Sequence, residues 1–478
     1  MPSLTTLKNG TAIAFDALSD RTKSVFNPTL KLGVTGLSNA GKTVFITSLI
    51  ENLLKGKRLP VFGVMREGRL LKVKLAEQPD SKIARFEFEK HIASLLRDQT
   101  WPDSTRELSQ IRLQLDFSPR SRGFSPFRNT KLNLDIIDYP GEWLLDLPLL
   151  DKSYRQFCRE TIARAQSPQH KQHAQPWLAV IQSINFLQEA NEHDIETLSR
   201  SFKNYLSSAK KSNNMISSLA PGHFLVPGNF ENAPILSFSP ILDLGISDFP
   251  ENSIAGIMEQ RYEAYKKHIV FPFFREYIAC LDRQVILVDS LDAINDGKNS
   301  IDEMKNALGE ILLCFKTGKS SLITKLMQHK IDRILIASTK VDHLHHSSHD
   351  RLEKITTEIV TQALKKAQLK GVITDTLAMS SIRSTKEGLS EKHGESLPVV
   401  IGTPKKGEKI GDTIFDGVTE TAIFPGDLPD SLTDLLDENW HNQLQFVRFR
   451  PPKLKSEQSF PQIRLDRAME FLFGDYLI

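Results

Sequence analysis

One glycine-rich segment constrains the fold of this chain more than any other feature. A short apolar strand pattern ends at Gly36, residues 36–43 match the phosphate-binding loop Gly-x-x-x-x-Gly-Lys-Thr, and a helical pattern follows from Val44. This order of strand, loop and helix is the context in which the motif binds phosphate. The residues predicted to contact a bound nucleotide here are Gly36, Ser38, Asn39, Ala40, Gly41, Lys42, Thr43 and Val44.

The chemistry of the loop assigns a role to each of its key residues. Gly36 and Gly41 let the backbone curl so that its N–H groups point at phosphate oxygens. Lys42 reaches the β- and γ-phosphates, and the Thr43 hydroxyl binds Mg²⁺. The helix that follows adds the positive end of its dipole to the anion site. We therefore expect a Mg²⁺-dependent nucleotide site at this point.

Length and charge restrict the class of protein without deciding it. The chain has 478 residues with 40% hydrophobic content, which predicts two or three domains. A formal net charge of +3 and the lack of a long basic block argue against dedicated nucleic-acid binding. Cys158, Cys280 and Cys314 are widely spaced, which favours buried thiols in a reducing compartment. Neither a transmembrane run nor a signal-peptide pattern is evident, so the default expectation is a cytoplasmic protein.

A second motif lies at the end of a strand pattern over residues 132–138. Apolar and polar residues alternate along this strand, which ends in Asp138-Tyr139-Pro140-Gly141, an Asp-x-x-Gly pattern. We assign Asp138 to the Mg²⁺ shell and the Gly141 N–H to the γ-phosphate. Glu142 follows directly, where Ras-like proteins carry the glutamine that orients the attacking water. A carboxylate can also orient water, but it repels the γ-phosphate, so slow hydrolysis is expected.

A threonine between these two motifs is expected to complete the Mg²⁺ shell. Thr100 and Thr105 are the candidates, and Thr105 is preferred because it lies a short loop before the strand pattern of residues 111–117. That strand and the one ending at Asp138 are predicted to form an antiparallel hairpin. Arg106 is either an ordinary surface arginine, which we favour, or an arginine finger supplied in cis.

A third motif, Thr339-Lys340-Val341-Asp342, follows a buried-strand pattern over residues 332–338. It matches the Asn/Thr-Lys-x-Asp motif of guanine recognition. A carboxylate at Asp342 accepts the N1–H and N2 amino protons of guanine, whereas adenine lacks this pair of donors. The alkyl stem of Lys340 is expected to lie along the base. Thr339 replaces the commoner asparagine, and we expect softer base selectivity as a result.

Two further features extend the nucleotide site. Ser380, Ser381 and Ile382 follow another strand pattern and stand where GTPases place Ser-Ala-x, whose backbone N–H contacts guanine O6. Asn39 stands two residues before Gly41, where several K⁺-activated GTPases use an asparagine to hold K⁺. Such an ion would neutralise charge that develops between the β- and γ-phosphates. Asparagine is also tolerated in tight loops, so K⁺ binding is one of two explanations for Asn39.

The motifs occur together with other recognisable segments, namely residues 34–49, 138–143, 273–275, 282–289 and 463–467. In combination these segments resemble the YcjX family of bacterial P-loop stress proteins over nearly the whole chain. The resemblance implies a cytoplasmic, heat-shock-associated nucleoside triphosphatase. Family members are often described as predicted ATPases, whereas the third motif here favours GTP. Their genes often neighbour one for a membrane protein, which makes a membrane-associated protein partner conceivable; the effector itself is unknown.

The spacing of the motifs predicts an α/β fold, with a GTPase-like P-loop NTPase core, an inserted helical domain and a small C-terminal β-rich appendage. The predicted boundaries are 1–142 and 283–388 for the core, 143–282 for the insert and 389–478 for the appendage. The insert is inferred because a minimal GTPase needs only a short connection there. Its helical patterns cover residues 154–165, 176–190, 194–210 and 254–265. In the appendage, strands are predicted at 399–403, 413–418, 421–424 and 445–449, and a helix at 462–473.

Two polar clusters have simpler explanations than binding sites. Histidines crowd the loop after the third motif, where His345 and His349 have the spacing of metal ligands on a helix. A solvated polar loop is the favoured interpretation. A second cluster is basic and can contact acidic lipid or RNA, although a solvated hairpin tip is favoured. Its members are Arg120, Arg122, Arg128 and Lys131.

Together these observations predict a Mg²⁺-dependent protein that binds GTP and GDP, hydrolyses GTP slowly and acts as a nucleotide switch. The predicted catalytic residues are Lys42, Glu142, Thr105 and Asn39, and the predicted Mg²⁺ ligands are Thr43, Thr105 and Asp138. Two alternatives stay open. One is an ATP-dependent triphosphatase or kinase on the same fold, and the other is a scaffold that holds GDP without useful turnover.

Overall fold

A central sheet organises the part of the chain that the structure, a computed structural model, describes. The described residues are 28–37, 39–56, 59–103, 105–120, 130–212, 219–314, 331–369, 371–392, 395–437, 444–455 and 457–478. The predicted nucleotide contact Ser38 and the basic residues Arg122 and Arg128 lie outside this set. The strands are β1 Thr29–Gly36, β2 Leu70–Leu75, β3 Ala84–Arg85, β4 Ser109–Phe117, β5 Thr130–Asp138, β6 Arg283–Val288, β7 Arg333–Ser338, β8 Ile373–Ala378, β9 Lys386–Lys392, β10 Glu395–Gly402, β11 Lys409–Ile410, β12 Thr413–Ile414 and β13 Thr421–Ile423.

The order and direction of these strands place the loops that carry the motifs. The central sheet has the order β2-β4-β5-β1-β6-β7-β8, with β3 paired to β4. β1 runs parallel to both of its neighbours, β5 and β6, and β7 and β8 continue in the same direction. β4 and β5 pair antiparallel, which confirms the predicted hairpin. Because the carboxyl ends of parallel strands meet at one edge, the loops after β1, β5 and β7 lie there together.

The central strands are apolar on both faces, as parallel strands between two layers must be. On β6, Val285 and Leu287 join one hydrophobic core, and Ile286 and Val288 join the other. The first core includes the helix that follows β1 and the C-terminal helix, and the second continues into the helices between β5 and β6. The alternation along each strand therefore decides which layer covers which face.

Helices supply both layers. They are α1 Lys42–Lys55, α2 Gly63–Arg66, α3 Phe88–Ala93, α4 Tyr154–Ala165, α5 Lys171–Ser183, α6 Glu192–Ser212, α7 Gly222–Leu225, α8 Ile254–Tyr265, α9 Phe271–Glu276, α10 Ser290–Asp296, α11 Lys298–Cys314, α12 His349–Gln368, α13 Leu432–Leu435 and α14 Leu465–Phe473. A long 3₁₀ segment, Gly141–Asp151, follows β5. Within the described residues, no helix combines the length and apolar character needed to cross a membrane.

The segment between β5 and β6 contains α4 to α9 and packs around aromatic side chains. Trp177 is fully buried, stacks on Tyr205 with ring centroids 5.4 Å apart, and donates its indole N–H to Ser239. The predicted helices at 154–165 and 254–265 coincide with α4 and α8. The helix predicted at 176–190 was misplaced, because α5 spans Lys171–Ser183. Residues beyond it instead pair with the start of α8, where Ala190 donates its N–H to Asn252.

After β8, the chain forms a three-stranded sheet, β13-β10-β9, and the β11–β12 pair. The prediction of a strand at 445–449 was wrong. In the structure these residues form no strand, and a single isolated bridge joins Phe449 to Pro404. Phe449 nevertheless reaches the central sheet region, since its carbonyl accepts from the Trp101 indole and its ring lies 5.2 Å from that of His343. α14 then returns to the sheet, where the buried Arg283 of β6 donates to the Leu472 carbonyl and pairs with Asp475.

The packing of α14 yields a stability prediction. Leu472 is fully buried in the core beneath the sheet, so Leu472→Ala should lower the free energy of unfolding by about 2–5 kcal/mol through lost burial and the cavity left behind. Urea denaturation measures this change. Leu389→Ala is the control, because Leu389 on β9 is 74% exposed and its truncation should change stability by about 0.5 kcal/mol or less. Equal effects of the two substitutions would contradict the packing of α14.

Candidate nucleotide-binding site

The loop after β1 has backbone geometry suited to an anion. Asn39 and Gly41 adopt left-handed conformations, with φ of 62° and 76°. Gly41 is the N-cap of α1, and its carbonyl accepts from the Phe45 N–H at 2.9 Å. Left-handed residues of this kind turn neighbouring N–H groups towards one concavity. The left-handed Asn39 also gives the asparagine a conformational reason to be there, independent of any ion.

The end of β5 is pressed against this loop. A Cβ atom on Gly141 would lie 2.0 Å from the Gly36 carbonyl oxygen, a distance no side chain tolerates. At Gly36 itself, a Cβ would meet the Cβ atoms of Ala40 and Leu287 at 3.2 Å. Gly141 and Gly36 are therefore required for close approach of two backbones rather than for flexibility.

Lys42, Thr43, Thr105 and Asp138 converge in one cluster at this edge of the sheet. The Lys42 ammonium lies 3.0 Å from the buried Asp138 carboxylate and also donates to the Tyr139 carbonyl. The Thr105 hydroxyl donates to Asp138 at 2.7 Å and lies 3.3 Å from the Thr43 hydroxyl. Two hydroxyls and a carboxylate are hard oxygen donors, which are the ligands that Mg²⁺ prefers. The donor set therefore fits Mg²⁺.

The two threonine candidates of the preceding loop have different surroundings. Thr105 contacts Thr43 and Asp138, whereas the Thr100 N–H donates to the Ser94 carbonyl at the end of a short π-helix. Arg106, next to Thr105, is exposed to solvent. The geometry thus supports Thr105 over Thr100 for the cluster and agrees with a surface role for Arg106.

The third motif lies at the carboxyl end of β7. Asp342 is buried, and its carboxylate accepts from the Ser384 N–H at 2.7 Å and from the Ser384 hydroxyl at 2.6 Å. Its backbone carbonyl accepts from the Thr385 hydroxyl. Both Ser384 bonds go to the same carboxylate oxygen. Hydrogen bonds from the Ser384–Thr385 segment therefore set the orientation of the Asp342 carboxylate.

Lys340 and Thr339 tie the same motif to β6. Lys340 has a left-handed φ of 60°, and its ammonium pairs with the buried Asp289 carboxylate at the end of β6. Thr339 donates both its N–H and its hydroxyl to the Val288 carbonyl, at 2.9 and 3.2 Å. Burial, and then the charge of Asp289, raise the pKa of Asp292 to about 6. Thr339 and Lys340 therefore both brace this loop against the end of β6.

The residues after β8 pack beside the phosphate loop helix. The Ser381 carbonyl accepts from the Ser48 hydroxyl of α1, and Ile382 joins a small apolar cluster with Val44 at its edge. The Ser380 N–H already donates to the Ile463 carbonyl at 2.9 Å. The strand β8, its following residues and the C-terminal segment before α14 are thereby joined.

Glu142 lies immediately beyond the Gly141 contact and pairs with a lysine from α6. The Lys210 ammonium is 2.6 Å from the Glu142 carboxylate. Burial by itself would raise the pKa of Glu142, but the charge and hydrogen bond of Lys210, together with the charge of Lys42, hold that pKa below its usual value. Glu142 is therefore a carboxylate that stays ionised despite its burial.

Three residues at the site were not predicted from the sequence. Asp289 could have been found, because it directly follows a buried strand pattern at the carboxyl edge of a parallel sheet. Ser384 lies just beyond the Ser380–Ile382 motif but belongs to no pattern of its own. Lys210 carried no signal, since a lysine near the end of an amphipathic helix usually faces solvent.

The histidine cluster differs in membership from the predicted one. His349 is buried and its ring contacts the Leu344 carbonyl, so it does not accompany His345. Ligand atoms of His345, His346 and Glu387 instead lie within 4.8 Å of one another. Arg383 pairs with the same Glu387 at 3.2 Å, and His346 is largely exposed. His345, His346, Arg383 and Glu387 therefore form an ion-pair cluster of partly exposed side chains.

The chain is similar in sequence to known proteins. A family model described as the YcjX-like family, DUF463, matches residues 30–477. A protein named Ras-like GTPase YcjX from Escherichia coli (strain K12) is 33% identical over 94% of this chain and 96% of its own. One with the same name from Shewanella oneidensis is 32% identical over 97% of this chain and 99% of its own. The relatives thus match over nearly the full length of both chains.

The close contact between Gly141 and Gly36 predicts how a substitution at Gly141 changes nucleotide binding. In Gly141→Ala, the new methyl group would meet a backbone oxygen that cannot rotate away, so the turn after β5 must move off the loop. We expect lower thermal stability and a larger loss of affinity for GTP than for GDP, because the Gly141 N–H is assigned to the γ-phosphate. Gly309→Ala in α11 is the control, since nothing lies within 4 Å of its added methyl. An unchanged ratio of GTP to GDP affinity would contradict the assignment.

Proposed function

Since the chain belongs to the YcjX-like family, we propose that it binds guanine nucleotide with Mg²⁺ and hydrolyses GTP slowly as a nucleotide-dependent switch. The observation that carries this proposal is the convergence of three motif loops at one edge of the sheet. The Lys42 cluster lies after β1 and β5, and the buried carboxylate of Asp342 lies after β7. A nucleotide that spans this edge has phosphates at one end and its base at the other.

In this proposal, the phosphates lie on the loop formed by Gly36, Ser38, Asn39, Ala40, Gly41, Lys42, Thr43 and Val44. Lys42 exchanges its contacts with Asp138 and Tyr139 for the β- and γ-phosphates, a short movement for a flexible side chain. The Gly141 N–H donates to the γ-phosphate. The charge of Lys42 and the loop N–H groups then stabilise the negative charge that shifts during hydrolysis.

Thr43, Thr105 and Asp138 would hold the Mg²⁺, with the carboxylate acting through water. When bound, the ion supplies positive charge to the oxygens of the β- and γ-phosphates. Asn39 and K⁺ are a separate part of the proposal, supported by the spacing to Gly41.

Hydrolysis in this scheme is an in-line attack of water on the γ-phosphorus. The water oxygen forms a bond to phosphorus as the bond to the β–γ bridging oxygen breaks, and the products are GDP and inorganic phosphate. Glu142 orients the water by accepting a hydrogen bond from it. Its charge opposes approach to the γ-phosphate, so turnover is slow.

The base end of the site supports guanine over adenine. Asp342 accepts from N1–H and the N2 amino group, and its contacts with Ser384 orient it for this task. Lys340 lays its stem along the base, and the amides of the Ser380-Ser381-Ile382 segment serve guanine O6. Since the Ser380 N–H is used by Ile463, we assign O6 to the two amides that follow.

We extend the proposal to the organisation and setting of the protein. The core comprises 1–142 and 283–388, the helices of 143–282 form an insert that reads or gates the switch, and 389–478 form the β-rich appendage. A cytoplasmic location, a role in stress and an unidentified, membrane-associated protein effector rest on the family resemblance.

The base preference tests the proposal directly. We expect GDP and GTP to displace a fluorescent guanine nucleotide from the Mg²⁺-loaded protein far better than ADP and ATP. Asp342→Asn should weaken GDP roughly tenfold to a hundredfold, since it loses hydrogen bonds to a charged acceptor. The same variant should gain affinity for xanthosine diphosphate, because the 2-oxo group of xanthine accepts a hydrogen bond from the new amide. This gain would show that the variant is folded. Equal or better binding of adenine nucleotides would replace the proposal with an ATPase or kinase.

The role of Asn39 is tested by the monovalent cation. If its carbonyl holds K⁺, phosphate release from GTP should be faster in K⁺ than in Na⁺ buffer, and Asn39→Ala should abolish the difference. Asn39→Gly is the control for backbone shape, because glycine keeps the left-handed conformation but offers no ligand. Identical rates in the two buffers would leave the left-handed conformation as the reason for Asn39.

A further inference from the structure

The ion pair between Lys210 and Glu142 joins a helix outside the nucleotide-binding loops to the position beside the γ-phosphate. Lys210 lies near the end of α6, and its ammonium is 2.6 Å from the Glu142 carboxylate. The side chains are 31% and 17% exposed, respectively. The pair is thus partly shielded from solvent, where a charge interaction is stronger than on an open surface.

Close backbone contacts hold Glu142 in place on both sides. The preceding Gly141 packs against Gly36, and a Cβ on Gly222 would lie 1.9 Å from the Glu142 carbonyl oxygen. The following Trp143 stacks on His223 and donates its indole N–H to the Val226 carbonyl at 2.7 Å. The carboxylate therefore cannot withdraw from the phosphate end of the site by a simple shift of its backbone.

This fixed position creates an electrostatic conflict. A nucleoside triphosphate places its γ-phosphate at Gly141, next to a carboxylate that would repel it, whereas a diphosphate has no charge at that point. The protein does not remove the conflict by protonating Glu142. The contact with Lys210 instead supplies an opposite charge at hydrogen-bond distance.

We propose that Lys210 is a positioning residue that offsets much of the negative charge of Glu142, so that this carboxylate can orient the attacking water beside the γ-phosphate. The Lys210–Glu142 pair together carries little net charge, as a single neutral glutamine would at this position. The helix α6 thereby contributes, together with the phosphate-binding loops, to the discrimination between GTP and GDP. This inference rests on the proposed function and adds to it a residue from the helical segment.

A purely structural role for Lys210 makes a different prediction. A salt bridge that only fastens α6 to the segment after β5 would affect GDP and GTP alike when removed. If Lys210 instead offsets the charge of Glu142, removal of Lys210 lowers the affinity only for the ligand that carries a γ-phosphate. This role also makes Lys210 dispensable once Glu142 has lost its charge.

The test is a double-mutant cycle of Lys210→Met and Glu142→Gln in the full chain, with Mg²⁺, GDP and a non-hydrolysable GTP analogue. Lys210→Met keeps the apolar stem and removes the charge. We expect this substitution to lower the affinity for the GTP analogue about tenfold or more, and the affinity for GDP less than about twofold. In the Glu142→Gln background, the same substitution should cost less than about twofold for either ligand. Lys210→Arg, which keeps the charge, should retain most of the affinity for the analogue.

Lys211→Met is the matched control, because Lys211 is the exposed neighbour on the same helix and its loss should leave both affinities unchanged. Single-turnover phosphate release should fall in Lys210→Met even at saturating GTP, since the γ-phosphate then repels a Glu142 carboxylate that lacks the charge of Lys210 beside it. Equal losses for GDP and the GTP analogue would overturn the inference, as would an undiminished loss in the Glu142→Gln background.

The outcomes separate this inference from the proposed function. If the unaltered protein binds no guanine nucleotide, the proposed function fails before Lys210 is tested. If the protein prefers guanine and Asp342→Asn shifts it to xanthine, but Lys210→Met treats GDP and the analogue alike, only the role of Lys210 fails. Circular dichroism of each variant identifies loss of fold, and in that case the Lys210→Arg result in both Glu142 backgrounds decides the matter.

Discussion

The contact between Gly141 and the carbonyl of Gly36 is the constraint on which the rest of the site depends. β1 and β5 are parallel neighbours, so their carboxyl ends arrive at the same edge of the sheet. Only a residue without a side chain lets the two following loops touch there. Once they touch, Asp138 lies within reach of Lys42 and Thr105, and the oxygen donors form one cluster. Packing between the backbones of these two loops therefore brings the side chains of the cluster together.

The same turn is bound to the helices between β5 and β6 through a buried polar network. The Asp146 carboxylate accepts from the Gly222 N–H at 2.6 Å and from the His223 N–H at 3.2 Å, and it also contacts the His223 ring. Asp146 is fully buried, so these contacts replace its lost hydration. In the proposed function, a γ-phosphate that displaced Gly141 would act on this network and on the pair with Lys210. The helices between β5 and β6 are thus connected by hydrogen bonds to the segment that follows Gly141.

The success of sequence reasoning varied with the range of the interactions concerned. The helices α4 and α8 were predicted to the residue from their helical patterns. In the structure a serine caps the start of each, so a few adjacent positions set where it begins. The hairpin of β4 and β5 was predictable from alternation. α5 was misplaced because residues beyond Ser183 bond to Asn252 and its neighbours. Residues 445–449 form no strand because their backbone bonds go to separate segments, with Gln445 bonded to Pro425 and Arg448 to Lys405. Both errors come from distant contacts that a local pattern does not contain.

By itself, the sequence determined which loops bear the phosphate and base motifs, because each motif needs particular residue types at short, regular spacing next to a strand. It also determined that β7 is a buried strand, since its apolar run leaves no polar face. Only the tertiary structure decided which residues from elsewhere lie against these motifs. Thr105 was a choice between two threonines until the fold placed it on Asp138, and Lys210 and Ser384 had no signal at all. Their positions depend on how separate segments pack, and packing between distant segments is a property of the folded chain.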